Sequence, residues 1–182
     1  MNESMPLISV VMPVFNGEKY LAEAINSILS QTFTDFEFII VNDGSTDNSE
    51  NVILSYSDKR IKYLKQDNSG VGAALRYGCS FVRGKYIARM DADDISFPTR
   101  FATQLKSLES HPDVVLVSTA VYYIDEAGVQ LGRSFPFTNP KVIKDVLKFS
   151  GSPICHPAVL MRTESYMRTE GYCDLQPLED YY

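Results

Sequence analysis

Four short apolar runs, each followed by a stretch of helical periodicity, constrain this chain more than any other feature. Leu7 to Pro13, Phe36 to Val41, Ile61 to Leu64 and Tyr86 to Met90 are too short for buried helices and mostly rich in Ile and Val. Such runs read as strands buried on both faces. Between them, Tyr20, Leu21, Ala24, Ile25, Ile28 and Leu29 recur at helical spacing. Val52 and Ile53 suggest a helix opening near Asp47. Val71, Ala74, Leu75, Cys79 and Val82 form another helical face, with Gly84 as its expected stop. Phe101, Leu105 and Leu108 suggest one more helix after Pro98. Alternation of this kind implies an α/β fold, with a Rossmann-like, mostly parallel central sheet and helices on both faces.

Further on the pattern loosens. Val114 to Ile124 reads as one long strand that Gly128 turns back. After Phe135, five prolines (Pro136, Pro140, Pro153, Pro157 and Pro177) interrupt the rhythm, and His156 to Arg162 reads as a last strand. The rest is expected to be a less regular extension of a single domain over 1–182. The chain ends at Leu178-Glu179-Asp180-Tyr181-Tyr182 without a helix stop signal, so a longer parent protein is expected.

Ligands of open α/β sheets bind beyond the carboxyl ends of the strands. Three polar clusters have that address: Asn16-Gly17-Glu18, Asn42-Asp43-Gly44-Ser45 and Asp91-Ala92-Asp93-Asp94. The acidic run is the sharpest. Three carboxylates within four residues repel one another, so a purely structural use is costly unless water reaches them. In an extended segment Asp91 and Asp93 point the same way. Mg²⁺ or Mn²⁺ takes one or two such carboxylates and keeps its other positions for water or phosphate. A solvated acidic turn that caps the next helix is the alternative, and for Asp94 it explains the residue equally well. Asn-Asp-Gly-Ser is also ordinary turn chemistry; in a binding role, Asp43 would accept a hydrogen from a base or ribose. Asn16 reads as a helix cap and Glu18 as a first-turn residue, though both border the same edge. Pro13 and Phe15 lie just past the first strand, where Phe15 either packs in the core or stacks on a base. His156, before Pro157, is a further candidate for a metal or phosphate contact, whereas His111 suits a solvated helix end. Gly70-Val71-Gly72 lacks the full phosphate-loop pattern and suits close helix packing better.

Composition excludes several classes. The net charge of −6 argues against nucleic-acid binding, which needs a basic stripe. Cys79, Cys155 and Cys173 are odd in number and widely spaced, which fits reduced thiols in the cytoplasm better than a disulfide framework. The N-terminus has no signal-peptide pattern, and no apolar run reaches the ~18 residues that span a bilayer. A cytoplasmic protein is expected, with peripheral association at the inner face of a membrane left open. Oligomeric state is not readable.

Four motifs in order resemble those of the family 2 glycosyltransferases of the GT-A fold. They are Ile8-Ser9-Val10-Val11-Met12-Pro13-Val14-Phe15-Asn16, Ser30-Gln31-Thr32-Phe33, Ile39 through Asp47, and Gly84 through Asp94; Glu179-Asp180 is similar to a fifth. The resemblance implies an inverting, metal-assisted transfer from a nucleotide-diphosphate sugar, uridine diphosphate sugars first among them, to a glycan or lipid-linked acceptor. It implies that Pro13, Phe15 and Asp43 cradle the nucleoside, with Asn16 and Glu18 nearby, and that Asp91 and Ala92 border ribose and phosphates. Asp93 would hold Mn²⁺ or Mg²⁺, with Asp91 and His156 as further metal candidates, and Asp180 would be the general base. Residues 1–95 would form the nucleotide-binding half and 96–182 the start of the acceptor side. Bacterial cell-surface polysaccharide synthesis would suit such an enzyme. One departure is Leu75-Arg76-Tyr77-Gly78, where the family's arginine is displaced by one position. That shift turns a helical side chain by about 100°, so Arg76 is not assigned to phosphate. The alternatives are a nucleotide-sugar-binding domain without turnover, a sugar nucleotidyltransferase and a Mg²⁺-dependent phosphatase. The last carries its acidic pair on the first strand, not the fourth.

Overall fold

The computed structural model describes residues 5–149 and 152–172. Strand β1 (Ile8–Val14) leads through helix α1 (Leu21–Leu29) to β2 (Phe36–Asp43), then through α2 (Ser49–Leu54) to β3 (Ile61–Gln66). Helix α3 (Val71–Cys79) carries the chain back to β4 (Tyr86–Arg89), and α4 (Arg100–Ser110) follows. Then come β5 (Leu116–Ser118), the hairpin β6 (Tyr122–Ile124) and β7 (Gln130–Arg133), and α5 (Pro140–Phe149). A 3₁₀ turn at His156–Ala158, β8 (Val159–Arg162) and α6 (Thr163–Tyr166) complete the described elements.

The main sheet has the order β3-β2-β1-β4-β8-β5. Its first four strands are parallel, and β8 is antiparallel to both neighbours. Every residue of β1, β2 and β4 is buried. Alternate side chains feed two cores. Val10, Met12, Phe38 and Ile40 pack with α1, α4 and Ile53 of α2 on one face. Val11, Ile39, Val41 and Ile87 pack with Ala74, Leu75 and Cys79 of α3 on the other. The expected fold class is therefore the observed one: a mostly parallel sheet covered on both faces.

After β1 the chain moves outward to β2 and β3, then returns so that β4 lies on the other side of β1. A crevice forms at such a reversal, beyond the carboxyl ends of the two strands. The return depends on α3 lying close to the sheet. A Cβ on Gly78 would stand 2.7 Å from Val11 Cγ1 and 2.9 Å from Val41 Cγ2. Gly84 is not the helix stop the pattern suggested, since α3 ends five residues earlier, at Cys79. Its Cβ would meet the backbone nitrogen of Ser9 at 2.6 Å, so its smallness serves the approach of β4 to β1.

Three other expectations change. The run from Val114 to Ile124 is two strands, not one. β8 offers partners only to Leu116, Val117 and Ser118, and beyond them the chain leaves to form β6. The tail is more regular than its prolines suggest: Pro140 begins α5, and Asn139 Oδ1 accepts the Lys141 N–H at 2.9 Å. His156 and Pro157 belong to the 3₁₀ turn, and the strand begins at Val159. Among the described residues, no helix is long and apolar enough to cross a membrane.

Candidate functional site

Two loops at the carboxyl edge are laced together by side chains that replace backbone pairing. Asn16 takes a positive φ of 50°, so it is not the cap of α1, which begins only at Leu21. Asparagine tolerates this left-handed conformation better than most residues. The turn aims its Oδ1 at the Thr46 N–H, 2.8 Å away, while its own N–H donates to Ser45 Oγ at 3.1 Å. Glu18 makes a reciprocal pair: its N–H donates to Asp47 Oδ2 at 3.0 Å, and its carboxylate accepts the Asn48 N–H at 2.8 Å. Gly17 N–H donates to Ser49 Oγ at 2.9 Å. The β1–α1 and β2–α2 loops thus form one rigid rim.

Asp43 ends β2 and is only 2% exposed. Its Oδ1 accepts from Gln66 Nε2 at 2.7 Å and from the Ser69 N–H at 2.9 Å; its Oδ2 accepts the Gly70 N–H at 2.9 Å. A carboxylate has about four acceptor positions. Three are filled, and the remaining one is on Oδ2. Gly44, at φ 70°, lets the Asn68 backbone approach; a Cβ there would stand 2.6 Å from its nitrogen.

The acidic run follows β4, and two arginines that the sequence reading did not assign set its charges. Arg89, 5% exposed, forms an ion pair through Nη1 with Asp91 Oδ2. Arg100, 8% exposed, donates Nη2 to the carbonyls of Arg89 at 2.8 Å and Val159 at 3.1 Å. It ties the end of β4 to the start of β8. Burial lowers its guanidinium to about 10, against the pull of Asp94. Burial likewise pushes the Asp94 carboxyl up to about 6, helped by the charges of Asp91 and Asp93 and opposed by Arg89 and Arg100. Gln31, 3% exposed, holds the segment that follows: its Nε2 donates to Ser96 Oγ at 3.2 Å and to the Phe97 carbonyl at 2.8 Å, and its Oε1 accepts the Phe101 N–H. Only its place in a recurring motif could have marked Gln31 in advance.

These elements enclose a cleft of about 620 Å³, with Pro13, Phe15, Asn16, Asp43, Asp91, Ala92 and Asp93 in its wall. Phe15 is half exposed rather than packed in the core. Lys19 and Tyr20 also line the cleft; Lys19 was not singled out by the sequence, and Tyr20 was read only as helix face. Glu18 does not line it, being engaged with the neighbouring loop. His156 lies elsewhere, in a second cavity of about 270 Å³, where its Nε2 is 2.9 Å from the Tyr172 hydroxyl. Asp180 and Cys173 fall outside the described residues. Arg76 donates to the Tyr172 carbonyl at 2.9 Å.

No cluster of three or more His, Cys, Asp or Glu side chains suited to a cation occurs among the described residues. The donor set does suit a cation that arrives with other ligands. Asp93 is exposed and has no hydrogen bond or ion pair among the described residues, whereas Asp91 is paired. One free carboxylate on a cleft wall fits Mg²⁺ or Mn²⁺ when phosphate and water complete the shell.

The family model for "Glycosyl transferase family 2" matches residues 9–169. The chain is 37% identical over 173 residues to EpsE of Bacillus subtilis, covering 93% of this chain and 61% of EpsE. It is 40% identical over 166 residues to an uncharacterized glycosyltransferase of Methanocaldococcus jannaschii, covering 87% and 57%. Its fold is similar to that of Staphylococcus aureus TarS 1-349 in complex with UDP, with TM-score 0.72, 23% identity and coverage of 96% and 52%. It is equally similar, at TM-score 0.72 and 18% identity, to the mannosyltransferase PcManGT of Pyrobaculum calidifontis in complex with GDP-Man and Mn²⁺, with coverage of 98% and 50%. The chain thus spans about half to three-fifths of the length of these proteins.

Proposed function

The chain belongs to glycosyltransferase family 2, and from that premise we propose that it forms the donor-binding part of an enzyme transferring a sugar from a nucleotide-diphosphate sugar to an acceptor hydroxyl. The observation that carries the reading is the cleft at the reversal between β1 and β4, with Asp43 and Asp93 both in its wall.

In this reading the base lies against Phe15 and Pro13. The remaining acceptor position of Asp43 Oδ2 takes an N–H of the base, so no protein hydrogen bond has to break. Asn16 and Ala92 border the nucleotide, and Asp91 faces the ribose and phosphates. Asp93 would hold Mn²⁺ or Mg²⁺, and the cation would supply positive charge to the departing diphosphate. The laced rim keeps these groups in place before the donor arrives, which limits reorganisation during transfer. Asp180 is proposed as the base that takes the acceptor proton. Attack opposite the leaving group would then invert the anomeric carbon. A uridine diphosphate sugar as donor, and an acceptor in a surface polysaccharide or lipid-linked glycan at the inner face of the membrane, complete the proposal. For the nucleotide-sugar donor and the cation, the support is that TarS is described with UDP and PcManGT with GDP-Man and Mn²⁺.

Calorimetry with uridine and guanosine diphosphates tests it. One of them is expected to bind in Mn²⁺ and at least about tenfold more weakly in chelator, with Asp93→Ala losing the difference. Metal-independent binding that Asp93→Ala leaves intact would reject the metal role.

A further inference from the structure

Three carboxylates in four residues would ordinarily offer a cation more than one ligand. The geometry points to Arg89 as the positioning residue that prevents this: it keeps Asp91 out of the cation's coordination sphere and leaves Asp93 as the single protein ligand. This inference rests on the donor-binding reading above and adds to it the cause of the division between the two aspartates.

Arg89 is the last residue of β4, buried between β1 and β8. Its side chain is 6% exposed, and Nη1 meets Asp91 Oδ2. Its Nε has no hydrogen-bond partner among the described residues, so the Asp91 carboxylate is its principal compensation. A buried guanidinium does not release the carboxylate it is ion-paired with readily. The Arg89 backbone is fixed by its pairing with Val11 of β1 and by Arg100 Nη2, which holds its carbonyl at 2.8 Å. Asp94 sits in the field of both guanidiniums. Two guanidiniums beside three carboxylates leave the run with a net charge of about −1, and Asp93, in the cleft wall, forms no ion pair among the described residues. A site of net charge −1 holds a free divalent cation poorly and a cation already bound to diphosphate well.

The test is Mn²⁺ binding without nucleotide, followed by calorimetry and electron paramagnetic resonance. The wild-type chain is expected to bind Mn²⁺ alone with roughly millimolar Kd. Arg89→Met frees Asp91, and affinity for Mn²⁺ alone is expected to rise about tenfold or more. Adding Asp91→Asn to Arg89→Met restores the weak value, and Arg89→Lys, which keeps the charge, stays weak. A merely structural role for Arg89 would lower the melting temperature without tightening Mn²⁺ binding, and that result in a folded Arg89→Met chain overturns the inference. Wild-type binding of Mn²⁺ alone in the micromolar range also overturns it, whether or not the variants fold. The two readings fail differently. Nucleoside diphosphate binding that is indifferent to Mn²⁺ in the wild type removes the donor-binding reading and this inference together. Mn²⁺-dependent binding with an unchanged Arg89→Met removes this inference alone.

Discussion

Asp43 and Asp94 illustrate two fates of a carboxylate at the edge of one sheet. Asp43 is nearly inaccessible but surrounded by donors, two of them backbone N–H groups. Asp94 is partly buried beside two other aspartates, and its carboxyl is pushed up to about 6. A raised carboxyl pKa means that the native state holds a proton the unfolded chain has already released. The native state is therefore favoured at pH 4 and loses that advantage as pH rises to about 6. The difference between about 6 and the ordinary aspartate value corresponds to roughly 3 kcal/mol. Solvent at the partly exposed carboxylate reduces this to about 1–2 kcal/mol. Asp94→Asn carries no charge at any pH. In urea unfolding it should match the wild type at pH 4 and exceed it by about 1–2 kcal/mol at pH 8. A variant less stable than the wild type at pH 8 would mean that the attraction of Arg100 outweighs burial. The residue types at this edge were legible in the sequence, because turns after buried strands are local. Their partners were not: Gln31 meets Ser96 from 65 positions away, and no spacing rule reaches that far.

At the scale of elements, the glycine of Leu75-Arg76-Tyr77-Gly78 has a physical use. Gly78 faces the sheet, and the absence of a side chain there sets how closely α3 lies on β1 and β2. Gly78→Ala would press a methyl group into Val11 and Val41, neither free to move in a fully buried strand. Overpacking of this kind costs roughly 1–3 kcal/mol, measurable as a lower urea midpoint. A neutral substitution would show that α3 can lift without consequence. Periodicity located α1, α3 and α4, since each has one apolar stripe facing the sheet. It was passed over in α5, although Val142, Ile143, Val146 and Leu147 recur there at helical spacing. None of α5 is buried, and its start is marked only by Asn139-Pro140 among many other prolines. The strand misread over Val114 to Ile124 has a related cause: β propensity continues past Ser118, but the partner strand does not.

At the scale of the molecule, the described residues build a six-stranded main sheet and, at its carboxyl edge, a cleft whose wall is drawn from Pro13 to Asp93. The proposed base, Asp180, lies beyond them. Made in a full-length protein, Asp180→Asn should leave nucleoside diphosphate affinity within about twofold and lower sugar transfer by roughly 10²-fold or more, as expected for loss of a general base. Retained transfer would remove Asp180 from that role. Strand–helix order, the parallel arrangement and the address of the polar clusters were decided by the sequence alone, because they follow from burial periodicity and turn chemistry over a few neighbouring residues. The division of charge within Asp91-Ala92-Asp93-Asp94 was decided only by the tertiary structure. It depends on Arg89 reaching Asp91 and not Asp93, and Arg89 comes to that place through the pairing of β4 with β1 and the hold of Arg100 on the carbonyls of Arg89 and Val159.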